Sequence, residues 1–191
     1  MHFTKDMAET SDNELLKLFM TENGRNYAFN QIVRKYQERL YWHIKKIVID
    51  HEDTNDLLQN TFLKAFQSLS SFREESQLYT WLYKIATNES LSYLRQKRTK
   101  YLLPLVNVEK QLMGALEADP YFTGDKIEKK IQAAILQLPE KQRIVFNMRY
   151  YDEIPYEKMA EILSTSEGAL KASYHHALKK VEEHLKKHIE D

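Results

Sequence analysis

The stretch Tyr156-Glu-Lys-Met-Ala160-Glu-Ile-Leu163, then Ser164-Thr-Ser166, then Glu167-Gly-Ala-Leu170-Lys-Ala-Ser-Tyr-His-His-Ala177 has helix-turn-helix spacing. Ala160 is small where two helices cross closely, Leu163 and Leu170 are apolar where the pair buries its inner face, and Ser166 can cap the second helix. Such a pair lays its second helix in a DNA major groove, early residues on base edges. Lys171, Ser173, His175 and His176 are then the groove-facing candidates, and Lys179 and Lys180 suit phosphates. The same pattern also describes an ordinary two-helix corner in a small bundle. Ser164 stands where this motif usually has Gly. His175 and His176 are adjacent, so they point about 100° apart on a helix and cannot share one metal; no metal site is expected.

Upstream of this stretch, Ile127, Ile131, Ala134, Ile135 and Leu138 recur at helical spacing, and Ile144, Val145 and Met148 carry a further helix after Pro139. From Tyr101 to about Asp125 the periodicity stops. Pro104, Gly114, Pro120 and Gly124 punctuate an acidic segment that reads as an irregular linker. Before it, Ser11 and Glu14 form a capping box opening a short helix that Asn23-Gly24 is expected to end. A long amphipathic helix follows through Phe29, Ile32, Tyr36, Leu40, Ile44 and Val48. Two more run from about Asp53 to Leu69 and from about Leu78 to Lys100, separated by a short polar loop at Ser70 to Ser76. The expectation is an all-α chain of two small helical domains, residues 1–100 and 127–191, joined by an irregular linker at 101–126.

Composition narrows the function. The 191 residues include no Cys, which excludes disulfide scaffolds, thiolate nucleophiles and cysteine-based metal sites. Four Gly and four Pro leave little room for a many-turned β fold or a Gly-rich phosphate loop. No apolar run approaches the roughly 20 residues that span a bilayer, and the polar Met1 to Asp12 is not a signal peptide, so a soluble cytoplasmic protein is expected. Lys and Arg total 28 against 28 Asp and Glu. That zero balance does not suit a protein that binds any DNA by charge alone. The charges are segregated, however, with an acidic face and linker opposed to basic ends at Arg95 to Lys100 and Lys179 to Lys187.

Two N-terminal helices carry surfaces of interest. On the first, Leu58, Thr61, Phe62, Ala65 and Leu69 make an apolar face, and the opposite face holds Asp53, Asp56, Asn60, Leu63 and Gln67. Leu63, ringed by acids and amides, is either one unremarkable exposed leucine or an anchor for a partner helix. On the second, Leu78, Trp81, Leu82 and Ile85 form a core stripe, with Trp81 expected inside. Lys84, Asn88, Ser92 and Arg95 form a polar line running into the basic cluster Arg95, Lys97, Arg98 and Lys100. Polar groups for bases and cations for phosphates suit nucleic acid. A basic helix end also simply complements the helix dipole.

Taken together, Glu52-Asp-Thr-Asn-Asp56-Leu-Leu-Gln59-Asn-Thr-Phe-Leu-Lys-Ala-Phe66, Phe72-Arg73 and Thr80-Trp-Leu-Tyr-Lys-Ile-Ala-Thr-Asn88 resemble region 2 of the bacterial RNA polymerase sigma factors, most closely the two-domain extracytoplasmic-function group. Leu138-Pro-Glu-Lys-Gln-Arg-Ile-Val-Phe-Asn-Met-Arg149 and the helix-turn-helix resemble region 4 of the same group. The resemblance implies that Asp53, Asp56, Gln59, Asn60 and Leu63 dock on the clamp helices of the largest polymerase subunit, with the polymerase flap a further contact. It implies that the loop with Arg73, Ser76 and Gln77 holds a base flipped from the −10 element, and that Lys84, Asn88, Ser92, Arg95, Lys97 and Arg98 contact that element. Ser166, Lys171, Ser173, His175, His176, Lys179 and Lys180 match the −35 reading helix. The linker would thread towards the polymerase active-site channel. The implied protein is not an enzyme, needs no cofactor or small-molecule substrate, and commonly answers to an anti-sigma factor. The residues alone leave two other classes open: a stand-alone helix-turn-helix regulator with an N-terminal sensing or dimerisation domain, and a helical adaptor that touches no DNA.

Overall fold

Ser11 opens the first helix through the expected reciprocal bonds: the Glu14 amide donates to Ser11 Oγ at 3.3 Å, and the Ser11 amide donates to Glu14 Oε2 at 2.9 Å. The Ser11 hydroxyl, which donates to Glu14 Oε2 at 2.8 Å, and then the Ser11 amide hold the Glu14 carboxyl below its usual range. A computed structural model describes residues 10–72, 76–100, 105–118 and 126–189. Among them the elements are α1 (Asp12–Phe19), α2 (Arg25–Val48), α3 (His51–Ser68), α4 (Leu78–Lys100), α5 (Leu105–Ala118), α6 (Lys126–Leu136), α7 (Glu140–Tyr150), α8 (Tyr156–Leu163) and α9 (Glu167–Ile189). A single 3₁₀ turn at Leu69–Ser71 replaces the start of the expected polar loop. No strand occurs among the described residues.

Asn23-Gly24 does not end α1, which stops at Phe19; Gly24 instead opens α2. Its φ of −94° is open to any residue, so the demand for glycine is one of space. A Cβ there would sit 2.6 Å from the Leu18 carbonyl oxygen and 2.5 Å from Thr21 Oγ1. This pinch folds α1 back on α2 and feeds an aromatic cluster. Phe66 lies 5.7 Å from Phe19 and 5.0 Å from Phe29, ring centre to ring centre, and the Arg25 guanidinium covers Phe19 and Phe66 at 5.0 and 4.9 Å.

The segment 101–126 is not irregular throughout. Residues 105–118 are helical, and Leu112 and Leu116 of α5 pack with Leu136 of α6 against Ile49. Ile49 follows α2 with a φ of 65°, a costly conformation for a β-branched residue. The buried Lys45 ammonium donates to the Ile49 carbonyl and so closes the end of α2.

The C-terminal half has its own small core, in which Ala134, Ile135, Leu138, Phe146, Ala177 and Val181 are buried together. It also leans on the N-terminal half. Ile144, Val145, Met148, Met159, Ile162 and Leu170 belong to the same buried cluster as Leu40, Leu82 and Leu94. A polar seam runs alongside this apolar contact. His43 Nδ1 lies 2.8 Å from Asp152 Oδ2, Lys46 Nζ lies 3.5 Å from Asp152 Oδ1, and Asn147 Nδ2 donates to the Lys46 carbonyl at 3.2 Å. Burial pulls the Lys46 ammonium below the usual lysine value, and Asp152 offsets part of that pull.

Candidate polymerase and promoter surfaces

Asp50 caps α3 by accepting the Asp53 amide at 2.9 Å, which fixes the rotation of this helix. Thr54, Leu57, Thr61, Phe62 and Ala65 then face inward, while Asp56, Gln59, Asn60 and Leu63 face solvent. Leu63 is 56% exposed, the expected apolar point on a polar face. Asp53 departs from the expectation. It is half-buried, and its Oδ2 lies 3.0 Å from Lys97 Nζ on α4. A residue assigned to polymerase and one assigned to DNA therefore pair with each other. Burial pulls Lys97 down, but its bonds to Asp53 and Tyr93 prevail and hold its ammonium above the usual lysine range. Burial, then the Asp53 carboxylate, pushes Tyr93 up to about 12.

On α4, Lys84, Asn88 and Arg95 are exposed and Ser92 is half-buried, so the polar line survives folding. The Arg95 Nε–H donates to the Leu91 carbonyl at 3.2 Å. Arg73 and the Arg98 side chain lie outside the described residues. Ser76 and Gln77 flank the start of α4 and line one cleft with Phe72, Tyr79 and Arg39. Ser76 also lines a second cleft with Phe72, Trp81, Thr80 and Lys84. Trp81 is only half-buried, not the core residue its stripe suggested. Its ring lies 5.1 Å from that of Phe72, and together they present aromatic surface to the second cleft.

In the second half, Ser166 caps α9 by accepting the Ala169 amide at 3.2 Å. Ser164 ends α8 in the left-handed region, φ 51° and ψ 49°, supplying with a side chain the turn that Gly usually makes. Lys171, His175, His176 and Lys179 are exposed along α9, and Ser173 is half-buried. Lys171 pairs with Glu167 at 3.2 Å, and Lys180, though exposed, donates to Gln142 Oε1 at 3.0 Å. Among the described residues no three His, Asp or Glu side chains cluster as a metal site, and no helix is long and apolar enough to cross a membrane.

Two contacts escaped the sequence reading. Glu161 of α8 lines the cleft of Trp81 and Lys84, and Ser164, Thr165 and Ser173 line another cleft with Leu91 and Arg95 of α4. The available hint was His43, a polar side chain on the buried face of α2.

The model for "Sigma-70 region 2" matches residues 32–100 and that for "Sigma-70, region 4" matches residues 128–181, together more than half of the chain. The chain belongs to the sigma-70 family, in its extracytoplasmic-function group. It is 27% identical to the RNA polymerase sigma-H factor of Pseudomonas aeruginosa, over 94% of this chain and 96% of the relative. It is 28% identical to the extracytoplasmic-function sigma factor SigW of Bacillus subtilis, over 92% and 96%. Among solved structures, sigma factor RpoE in complex with the anti-sigma factor NepR from Bartonella quintana matches with a TM-score of 0.68 at 23% identity, over 83% of this chain and 96% of that one. CnrH in complex with the cytosolic domain of CnrY matches at 0.67 and 19%, over 92% and 99%. As a sigma factor the chain is not an enzyme; it binds core RNA polymerase and promoter DNA and directs transcription initiation.

Proposed function

We propose that the sigma activity is divided along the chain as its surfaces are divided. Residues 1–100 engage the polymerase clamp helices and the −10 element and assist strand separation; residues 127–191 engage the flap and the −35 element; residues 101–126 connect them. The observation that carries this reading is Leu63, 56% exposed on the solvent face of α3 beside Asp56, Gln59 and Asn60. A few central side chains, desolvated and ringed by near-neutral contacts, carry most of the energy of a protein interface, and the placing of Leu63 fits that arrangement. Asp53 joins this face only at its margin, since Lys97 already holds it.

At the −10 element, Lys84 and Asn88 are open to DNA beside a cleft walled by Phe72, Trp81 and Ser76. Flipping a base costs a few kcal/mol of unstacking, and a cleft with aromatic walls offsets that cost in the melted state alone. Arg95 extends the line, and Arg73, Gln77, Ser92 and Arg98 complete the assignment. At the −35 element, Lys171, Ser173, His175 and His176 read bases while Lys179 and Lys180 meet phosphates, with Ser166 fixing the start of the helix. The protein works in the cytoplasm with polymerase. An anti-sigma factor is a fitting regulator, since one solved structure that matches this fold is a sigma factor in complex with an anti-sigma factor.

Run-off transcription with core polymerase tests the docking face. Leu63→Asp is expected to lower transcription more than tenfold at limiting sigma, in line with a hot spot of at least about 2 kcal/mol, and Asp56→Arg to lower it less. Full transcription by both variants would remove the face from polymerase.

A further inference from the structure

Two titratable rings stand side by side on the helix assigned to the −35 element. His175 and His176 are both exposed on α9, with ring centres 6.0 Å apart. Leu170, Ala177 and Val181 mark the buried side of this helix. At about 100° per residue the two rings fall on either shoulder of the opposite ridge, and Ala172 and Lys179 lie between them. A helix seated in a groove about 12 Å wide turns one such shoulder to each side. The divergence that denies the pair a shared metal therefore lets each ring meet DNA on its own side.

The surroundings of the rings are basic. Lys171 and Lys179 stand one turn either side of His175, and Lys179 and Lys180 follow His176 by three and four residues. The carboxylates of α9 are engaged or distant. Glu167 pairs with Lys171 at 3.2 Å, and Glu182 and Glu183 each lie seven residues on, about 10 Å along the axis. From α7, Glu140 and Lys141 border the cleft of Ser173, and Gln142 accepts from Lys180. From α8, Tyr156 lies under Lys171, while Lys158 pairs with Glu157 and Glu161. Helix α6 meets α9 through Ala134 and Ile135; its Lys129 donates to the Glu117 carbonyl, and its Glu128 acts on Lys46 and Tyr151. Neither histidine ring makes a hydrogen bond or an ion pair among the described residues.

A neutral imidazole has one N–H donor and one acceptor nitrogen; protonated, it has two donors and a positive charge. Phosphate oxygens and the N7 and O6 of guanine are all acceptors, so against them only the protonated ring uses both nitrogens. Histidine is also the side chain that ordinarily changes charge between pH 5 and 8. Two imidazolium rings at this separation repel each other, so the doubly charged pair belongs to the state in which phosphates supply the counter-charge.

We propose that −35 recognition by this chain is proton-coupled: His175 and His176 take up protons as α9 enters the groove, and hold the element as cations. The proposal rests on the −35 assignment of α9 made above. A ring whose charged form is favoured on DNA binds more tightly as pH falls, and that gain is lost as pH rises through its value in the complex. At high pH the exposed ridge keeps only the charges of its lysines.

The test uses reconstituted holoenzyme and a promoter fragment that it selects from randomised DNA, alongside the same fragment with its −35 element scrambled. The ratio of the two affinities reports −35 recognition, because pH effects on core polymerase enter both. For the parent this ratio is expected to rise about tenfold or more from pH 8 to pH 6, tenfold for each unit by which DNA raises a histidine. The salt slope of the intact fragment is expected to steepen over the same range by about 0.9 for each phosphate neutralised. His175→Gln combined with His176→Gln, which keeps polar ends without a charge, is expected to give a ratio independent of pH. His175→Arg combined with His176→Arg, charged throughout, is expected to give a ratio above one that no longer varies with pH. A parent ratio above one that ignores pH, or either double variant keeping the parent's pH response, would overturn proton coupling and leave the −35 assignment standing. A parent ratio of one at every pH would overturn that assignment and the coupling with it.

Discussion

The N-terminal half stabilises itself, whereas the C-terminal half is partly stabilised by its neighbour. In α1–α4, Phe66 meets Phe19 and Phe29 edge to face, Phe29 meets Phe62 likewise, Arg25 covers Phe19 and Phe66, and every ring in that set comes from the same half. In α6–α9, Phe146 stacks on Tyr150 and Tyr174, but Ile144, Met148, Met159 and Ile162 bury themselves in the cluster dominated by the N-terminal half. The lesson is that a small helical domain can carry more apolar surface than its own core buries when a neighbour covers the rest. Small helical units are marginal alone, since a small core leaves little net stability after conformational entropy.

The strongest way to break this comparison is to cut one ring from each core. Phe19→Ala is expected to cost about 3–5 kcal/mol and to bring the main thermal transition down for both halves together. Phe146→Ala, costing about the same locally, is expected to melt the C-terminal half early and leave a later transition for α1–α4. Calorimetry separates the outcomes: one shared transition in Phe146→Ala would show that the halves do not differ in independence.

A smaller effect sharpens the N-terminal side. Lys97 and Asp53 are 29% and 22% exposed at their side chains, so their 3.0 Å pair is worth at most about 1 kcal/mol after screening. Lys97→Met is expected to lower stability by that amount at low salt and by less at high salt, in chemical denaturation. A large drop in −10 binding without loss of stability would instead return Lys97 to the DNA surface. The smallest effect falls on the C-terminal side. Ser164→Gly relieves the left-handed turn at the end of α8 and is expected to raise stability by about 0.5 kcal/mol, the steric relief being partly offset by backbone entropy. A lower melting temperature for this variant would mean that the Ser164 side chain contributes more than its strain costs.

The helices were legible because their apolar positions repeat over many turns; α8 begins and ends where Tyr156 and Leu163 indicated, and the Ser11–Glu14 box opens α1 as written. Exposure of Leu63 and of the Lys84–Asn88 line was legible for the same reason: rotation about a helix axis follows from spacing alone. The remainder depends on tertiary contacts. Helix α5 was hidden by Pro104, Gly114, Pro120 and Gly124, and its burial comes from Ile49 and Leu136, which no local pattern announces. Trp81 sits on an apolar stripe that happens to end at a cleft. His43 and Asp152 stand 109 residues apart, so their pairing is a property of how two halves meet and not of any segment.

Ile49 gives that meeting of halves a native witness. Its positive φ is held where Leu112, Leu116 and Leu136 bury its side chain, and its amide donates to the Lys45 carbonyl at 2.7 Å. If α5 and α6 lifted away, the side chain would reach water and the φ of Ile49 could return to an ordinary value, which swings the chain that follows while the amide keeps its bond to Lys45. Ile49 is thus a sprung joint: the packing of α5 and α6 stores backbone strain that their departure would release.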